Sequence, residues 1–541
     1  MHNKVPGYDE ALEILRQNQS QRAKSLANLE RYVDGTQYEG LPDWFTDKKP
    51  LWERAPCIVC PIVKSAIDSN SDLLLGEGRF PSPKVDGLAG EEANEFERAT
   101  AKVIQQSRFK AAAREVFSAG QGCGSACAVF GVRSGRLFID TLLARWCEPK
   151  LDAEGAVLSL EVRYPYLALV KDASGEEKYV CKLYRRTIDS THDVTYHPAD
   201  ARQDAREPSW RVDNEKTVTH GLGFCPVVWF PHLKGCTAVN DFDGKAIHEH
   251  LTDEIRAHDF ALSQRHRAAL YAGDPQWTEI GVSPGYNPTS TGRRAVVPAS
   301  TFGRPGERAH AAYVSDHAPS KARKKSPGTV WQYEGKSTDV KVQLHALPGD
   351  ALKALDDHAK DLRTKICEAL GVVFVGPESL PNESRLSGKA LESFKAPQID
   401  RVNYYRSDFG DRFIIPALGM LLRIALETNL EIEGLDVVRE VQSTTVNWSW
   451  HAPPLDLVWG DYFQPSGEEE ELLVRSAAQA LTAGIATRRV IVEKLHNILG
   501  IRDVESYMTE LEAEREENQK QEVDMAVAMK PPAPAASGKS Q

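Results

Sequence analysis

At 541 residues the chain is too long for one hydrophobic core, and three or four structural units are expected. Its 41% hydrophobic and 26% charged content is that of a folded, water-facing protein, with no run of eighteen apolar residues to span a membrane and no charged-then-apolar leader. A net charge of −11 argues against a protein that grips duplex DNA through a broad basic surface, and nine cysteines, odd in number and mostly in apolar settings, read as the reduced thiols of an intracellular protein.

Residues 8–33 carry Ala11, Leu12, Ile14, Leu15, Leu26, Leu29 and Tyr32 among polar neighbours, which predicts one amphipathic helix ending near Gly35. Residues 41–52 form a connector rich in proline and aromatics. An apolar helix follows at 56–75, then helices at 90–107 and 109–119. From 127 to 235 the pattern changes to short runs separated by Gly, Asp and Pro. Strands are expected at 128–132, 137–139, 156–164, 178–184 and 227–230, with 198–214 as a mobile polar loop.

A helix is expected over 243–271, with Ile247, Leu251, Ile255 and Leu262 on one stripe. Residues 273–347 then break up at Pro284-Gly285 and Gly303-Arg304-Pro305-Gly306. They carry a basic run from Lys321 to Lys325 and short expected strands at 295–298, 330–333 and 340–344. A second rod begins after Pro348 and Gly349, with Asp350 as its expected cap. Leu352, Leu355, Ala359, Leu362, Ile366 and Leu370 make one apolar stripe along roughly 30 Å, and Gly371 is its expected stop. Two long helices thus bracket a small insert.

Residues 372–387 contain Gly376, Pro377 and Pro381 and no sustained periodicity; loops of this length are usually functional or disordered. A further helical pattern runs from 388 past Pro397 to about Leu422. Residues 437–450 read as a strand-like return, with Val446, Trp448 and Trp450 alternating. Helix is expected over 467–523, ending in an acidic run, and residues 529–541 are too polar to build a core.

Catalytic patterns fail on inspection. Ser387-Gly388-Lys389 has Glu383 where a phosphate-binding loop needs Gly, and Ala390 replaces the hydroxyl. His248 and His250 do not fit His-Glu-x-x-His, and on a helix they would lie about 200° apart, so solvated or inter-subunit histidines are expected. Cys57 and Cys60 lack a second pair; Cys123 and Cys127 read as buried small hydrophobes. Gly122-Cys123-Gly124-Ser125-Ala126 lacks the closing Gly of a nucleophile elbow. No catalytic residue, metal or cofactor is expected, and the chain does not read as an enzyme. Two polar sets remain: Asn382, Glu383, Ser384 and Arg385 with Lys389 and Lys395, and Lys321, Arg323, Lys324 and Lys325. The plain reading of both is solvated surface; the functional one is contact with a partner.

Several stretches in order resemble one family. They are Tyr32 to Gly35, Trp52-Glu53-Arg54, Leu73 to Gly76, Ala119-Gly120 with Gly122, Phe138-Ile139-Asp140 and Gly223-Phe224-Cys225-Pro226. Later come Ser387-Gly388-Lys389-Ala390-Leu391, the helix at 472–483 with Gly484-Ile485-Ala486-Thr487, and an acidic helix at 505–517. In number and order these resemble the portal (head–tail connector) proteins of tailed bacteriophages, over roughly residues 8–523. Many portals carry Ser where Ala486 stands.

The resemblance implies an α+β, mainly α, portal fold assembled as a ring. Residues 1–242 would form N-terminal helices and wing, 243–272 the first stem helix, 273–347 the clip and 348–371 the second stem helix. Residues 372–387 would be the tunnel loop, 388–464 a long helix returning to the wing, 465–528 the crown and 529–541 a disordered tail. It further implies a ring, usually of twelve copies, at one capsid vertex, through which double-stranded DNA enters during packaging and leaves during ejection. The protein would lie in the virion, and in host cytoplasm during assembly. A mostly acidic channel lets DNA slide, with sparse cations giving sequence-independent contacts; Arg385, Lys389 and Lys395 are the candidates. Implied partners are terminase, which hydrolyses the ATP, head-completion adaptors, and the major capsid and scaffold proteins. Lys321, Arg323, Lys324 and Lys325 would face the clip's partners. The runner-up is another virion structural protein, for head completion or as a minor capsid component.

Overall fold

The computed structural model describes residues 7–280, apart from 46–48, 86–90, 172–174, 205–206, 234–241 and 274–275. It further describes 330–333, 341–345, 349–374, 392–463 (apart from 433, 445–452 and 454), 467–495 (apart from 485–486), 507–508 and 511. The chain forms a larger unit of residues 1–374 and 397–460 and a smaller one of 375–396 and 461–541.

In the larger unit the expected helix over 8–33 is two, α1 (Tyr8–Gln17) and α2 (Gln21–Asp34). Ser20 is extended and accepts from Ala23 N at 3.1 Å, so a cap restarts the helix within an unbroken apolar stripe. Next come α3 (Ile62–Leu75), β1 (Ser82–Val85), α4 (Glu91–Gln106) and α5 (Phe109–Cys123).

The strand-rich region holds β2 (Ser125–Arg133), β3 (Arg136–Leu142), β4 (Cys147–Leu151), β5 (Val157–Lys171), β6 (Glu177–Ile188), β7 (His192–Thr195), β8 (Ala199–Asp200), β9 (Val218–Thr219) and β10 (Val227–Pro231). One antiparallel sheet runs β10-β2-β3. A second runs β4-β5-β6-β7-β9, with β8 added to β6. They share a core of Cys127, Val129, Leu160, Val162, Ile188, Val227 and Trp229, closed by Leu26 of α2. The stretch expected to be a mobile loop is largely stitched down: β8 pairs with β6, Tyr196 bridges Val212, and Asp213 is buried.

Arg22 ties α2 to these sheets. It donates to Asp243 at 2.6 and 2.9 Å, to Cys147 O at 3.0 Å and to Ala144 O at 3.1 Å, and lies over the Phe242 ring. Ser125 Oγ donates to the same carboxylate at 3.1 Å.

The first long rod, α6 (Thr252–Gly273), starts nine residues later than expected, because Leu251 closes a turn onto His248 O. It leads into β11 (Gln276–Ile280), a strand absent from the sequence expectation. β11 pairs with the expected β12 (Val330–Tyr333) in parallel and β13 (Lys341–His345) antiparallel. The expected strand at 295–298 lies outside the described residues. The chain returns through α7 (Gly349–Leu370), antiparallel to α6, and Asp350 stands inside its first turn. Ile255, Leu251 and Ile247 meet Ile366, Leu370 and α3's Ile62, Val63, Ala66 and Ile67 in one buried cluster at the base of the pair.

α8 (Ala396–Phe409), a π-helical turn over Gly410–Ile414 and α9 (Ile415–Glu427) follow one another. Phe409 and Phe413 stack on each other and meet Phe109, Phe117 and Phe230, and Tyr405 joins the cluster edge-on to Phe117, at centroid separations of 5.0–6.4 Å. Each such ring contributes roughly 2–3 kcal/mol by burial. Where a strand-like return was expected, the chain first makes helix α10 (Leu435–Thr444), because Leu435, Val438 and Val441 are the buried positions, at a spacing of three. The alternating residues that suggested strand, Val446, Trp448 and Trp450, lie outside the described residues. β14 (Leu455–Val458) then pairs antiparallel with β1. The smaller unit contains α11 (Gly467–Thr482) and α12 (Arg488–Leu495). With about 51% helix and 20% strand, the architecture is α+β with helix predominant. No helix among the described residues is long and apolar enough to cross a membrane.

Candidate functional site

The α6–α7 pair consists of two 22-residue helices held together chiefly at its base. Along the rods the polar contacts are shallow. Asp356 accepts from Lys360 at 2.9 Å and from Arg265 across the pair; these bonds hold its carboxyl below the usual range. Lys365 reaches Asp361 at 2.8 Å. The outer faces otherwise alternate in sign, with Lys353, Asp357, Lys360 and Asp361 exposed.

The base is different. Asp259 of α6 is fully buried and accepts from Cys60 N at 2.9 Å, Tyr38 OH at 3.0 Å and Gln37 Nε2 at 3.3 Å. One turn on, Ser263 Oγ accepts from Ile58 N at 3.0 Å. Residues 37–38 and 58–60 are thereby strapped to α6. Burial, then the neighbouring Asp259 carboxylate, pushes the Tyr38 hydroxyl and the Cys60 thiol up.

Of the two histidines expected to be solvated or inter-subunit, His248 is buried and places Nε2 3.2 Å from Leu29 O; further along, on α6, His258 is buried 3.7 Å from Asp259. Burial lowers the His248 pKa to about 4. His250 is exposed. Among the described residues no group of His, Cys, Asp or Glu is arranged to hold a metal ion.

At the C-terminal end of α7, Gly371 adopts φ +64, where an L side chain is strained. Val372 N reaches back to Cys367 O at 2.9 Å, closing the helix. The Arg401 guanidinium fills the space a Cβ at Gly371 would take, and its Nη1 donates to Ala369 O at 3.2 Å, a cation on exposed helix-end carbonyls.

Beside it lies a buried chain of amides. Gln398 Nε2 donates to Ser69 Oγ and Asn70 Oδ1, both at 3.0 Å, and its Oε1 accepts from Val373 N at 3.4 Å. Asn70 Nδ2 donates in turn to Gln121 Oε1 at 3.0 Å. Asn70, Gln121 and Gln398 are all fully buried. Val373 precedes and Gln398 follows the long segment that separates α7 from α8, so both its ends are held at one place on α3. Nearby, His232 sits among Phe117, Phe230 and Tyr405, with no hydrogen-bond partner for either ring nitrogen among the described residues. Burial, assisted by Arg401, lowers its pKa to about 3.

Of the loop residues singled out from the sequence, Asn382, Glu383, Ser384, Arg385 and Lys389 lie outside the described residues, as do Lys321, Arg323, Lys324 and Lys325 of the insert. Lys395 is described: half-buried, in the turn just before α8, within the smaller unit. Cys123 and Cys127 are buried as expected, whereas Cys57 is exposed and Cys60 half-buried. The residues that sequence reasoning passed over are Asp259, Asn70, Gln121, Gln398 and Arg401. One signal was present: Asn70 interrupts an apolar helix between Ile67 and Leu73, and a buried amide needs partners. No protein-family model and no curated protein matches this chain.

Proposed function

We propose that the chain is the subunit of a portal-type ring that conducts double-stranded DNA through one capsid vertex and docks the packaging motor and head-completion proteins. The observation that carries this reading is the antiparallel α6–α7 pair. It bears the β11–β13 sheet at its far end and is rooted in a buried cluster at its base. A rod pair stabilised mainly at its base leaves its long flanks for neighbouring copies. Val373 and Gln398, which flank the stretch holding most of the expected tunnel loop 372–387, are hydrogen-bonded to one another beside α3, which supports that reading. The charge of −11 per copy supports passage of DNA without tight binding, with Arg385, Lys389 and Lys395 as the sparse positive contacts. The Lys321–Lys325 run would meet the motor and adaptors, and catalysis is assigned to the motor.

The test is imaging and mass determination of the purified chain. Rings with a hole that admits duplex DNA are expected; a compact single-copy particle under every assembly condition would refute the proposal. Within rings, Arg385→Ala with Lys389→Ala should alter DNA packaging or retention and leave assembly intact. Unchanged DNA handling would remove the loop from the mechanism.

A further inference from the structure

Among the described residues the thiols fall into two groups. Cys123, Cys127, Cys147, Cys181 and Cys225 are buried, whereas Cys57 is exposed and Cys60 and Cys367 are half-buried. Cys60 and Cys367 pack against one buried cluster, that of Ile62, Val63, Ile366 and Leu370, from distant parts of the chain. Cys60 ends the stretch strapped to α6 and stands just before α3; Cys367 lies on the last turns of α7, and α3 touches α7.

Backbone bonds hold Cys60 in register. Ile58 N donates to Ser263 Oγ and Cys60 N to Asp259 Oδ1, one turn apart on α6, so residues 58–60 run extended and antiparallel to α6. α7 is also antiparallel to α6: Arg265 pairs with Asp356 further up the rods, and Ile255 and Ile366 share the cluster at the base. Cys60 therefore stands at the level of α7's last turns, while Cys57 is carried up the rods away from them.

Arg363 completes the group. It precedes Cys367 by four residues, on the same helix face, and its guanidinium donates to the Cys367 thiol. Burial holds both thiols above the ordinary thiol range; Arg363 pulls both back toward the ionised form, and Cys367 feels the charge of Cys60. A thiolate beside a cation and a second thiol, within reach of solvent, is the arrangement that thiol–disulfide exchange uses.

We propose that Cys60 and Cys367 form a redox clasp, a disulfide from the strapped stretch to α7 that closes when a small-molecule disulfide such as oxidised glutathione is present. The Cys367 thiolate attacks one sulfur of the small disulfide and expels a small thiolate. The Cys60 thiolate then attacks the Cys367 sulfur of that mixed disulfide and expels the second. Two protein thiols are oxidised, and one small disulfide is reduced to two thiols, which take up the two protons. The cysteines stand about 300 residues apart, and a link closing so long a loop restricts the unfolded chain far more than the folded one. Reduced, the base of the rods is held by burial and hydrogen bonds; oxidised, it is also held covalently. The clasp does not depend on the ring reading.

The test incubates the full chain with oxidised glutathione at about pH 8, where more of each thiol is ionised. Remaining thiols are blocked with N-ethylmaleimide, and the protein is digested without reductant for mass spectrometry, with fragment ions separating Cys57 from Cys60. A Cys60–Cys367 linked peptide from single-chain protein is expected, and dithiothreitol before digestion should abolish it. The oxidised protein should melt several degrees above the reduced one, reversibly. Cys60→Ser and Cys367→Ser should melt as the parent does in reductant and lose both the peptide and the shift; Cys57→Ser should keep both. Glutathione adducts without the linked peptide, a link from Cys57 to Cys60 or Cys367, or a linked peptide with an unchanged melt would each overturn the clasp.

Discussion

Replacing Gln398 by Leu tests whether the long segment is held at both ends by the buried amides. Gln398 makes three hydrogen bonds: to Ser69 Oγ and Asn70 Oδ1 at 3.0 Å, and from Val373 N at 3.4 Å. Leu keeps the volume and removes all three. Each polar group stranded in the interior costs about 1–3 kcal/mol, but the Val373 bond is long and Ser69 is not fully enclosed. A total of about 2–4 kcal/mol is therefore expected, not the upper sum. The effect should be local to the junction. Native-state hydrogen exchange reads it directly, because each 1.4 kcal/mol taken from the opening free energy speeds exchange about tenfold. The amides of Val372, Val373 and Phe374 should exchange on the order of 30- to 1,000-fold faster, with the β5–β6 strands unaffected. Asn70→Leu combined with Gln398→Leu should cost less than the two single changes added together, since removing both partners strands fewer groups. Exchange within threefold of the parent at residues 372–374, or strictly additive single changes, would refute the idea that these amides hold the segment.

Gly371→Ala should destabilise the end of α7 by about 1–2 kcal/mol for the left-handed backbone, with more for displacing Arg401; a thermal melt of the full chain that is unchanged would contradict this. Arg22→Ala should cost about 1–3 kcal/mol, because it removes the bidentate partner of the partly enclosed Asp243 and leaves it the bond from Ser125; a lowered melting temperature is the readout. The pH dependence follows from His232. Its pKa is lowered in the fold from 6.5 to about 3, so between those values the unfolded chain binds more protons and stability falls as the pH is lowered. His232→Phe, which suits the surrounding rings, should flatten the loss of melting temperature between pH 6.5 and pH 4 relative to the parent. Equal slopes would show that His232 is not held neutral.

How much of this was legible in the sequence varies with the range of the interaction. The two rods, the insert between them and most strands of the β2–β10 region could be read from periodicity and from glycine and proline punctuation. Those signals act within a few residues, and the backbone obeys them whatever packs outside. Gly371 was readable as a helix stop for the same reason. Where a local cap cut an unbroken stripe, at Ser20, or a turn replaced the first residues of a helix, before Thr252, the stripe alone misled.

Sequence alone determined the alternation of helical and strand segments, the acidic balance of the chain and the absence of familiar catalytic spacings. Tertiary structure decided which polar residues are buried and what they hold. Asn70 and Gln398 stand 328 positions apart, and Asp259 takes its donors from more than 190 residues upstream. A buried amide or carboxylate is tolerated only where its partners converge in space, and that convergence is a property of the packed chain, not of any stretch of it.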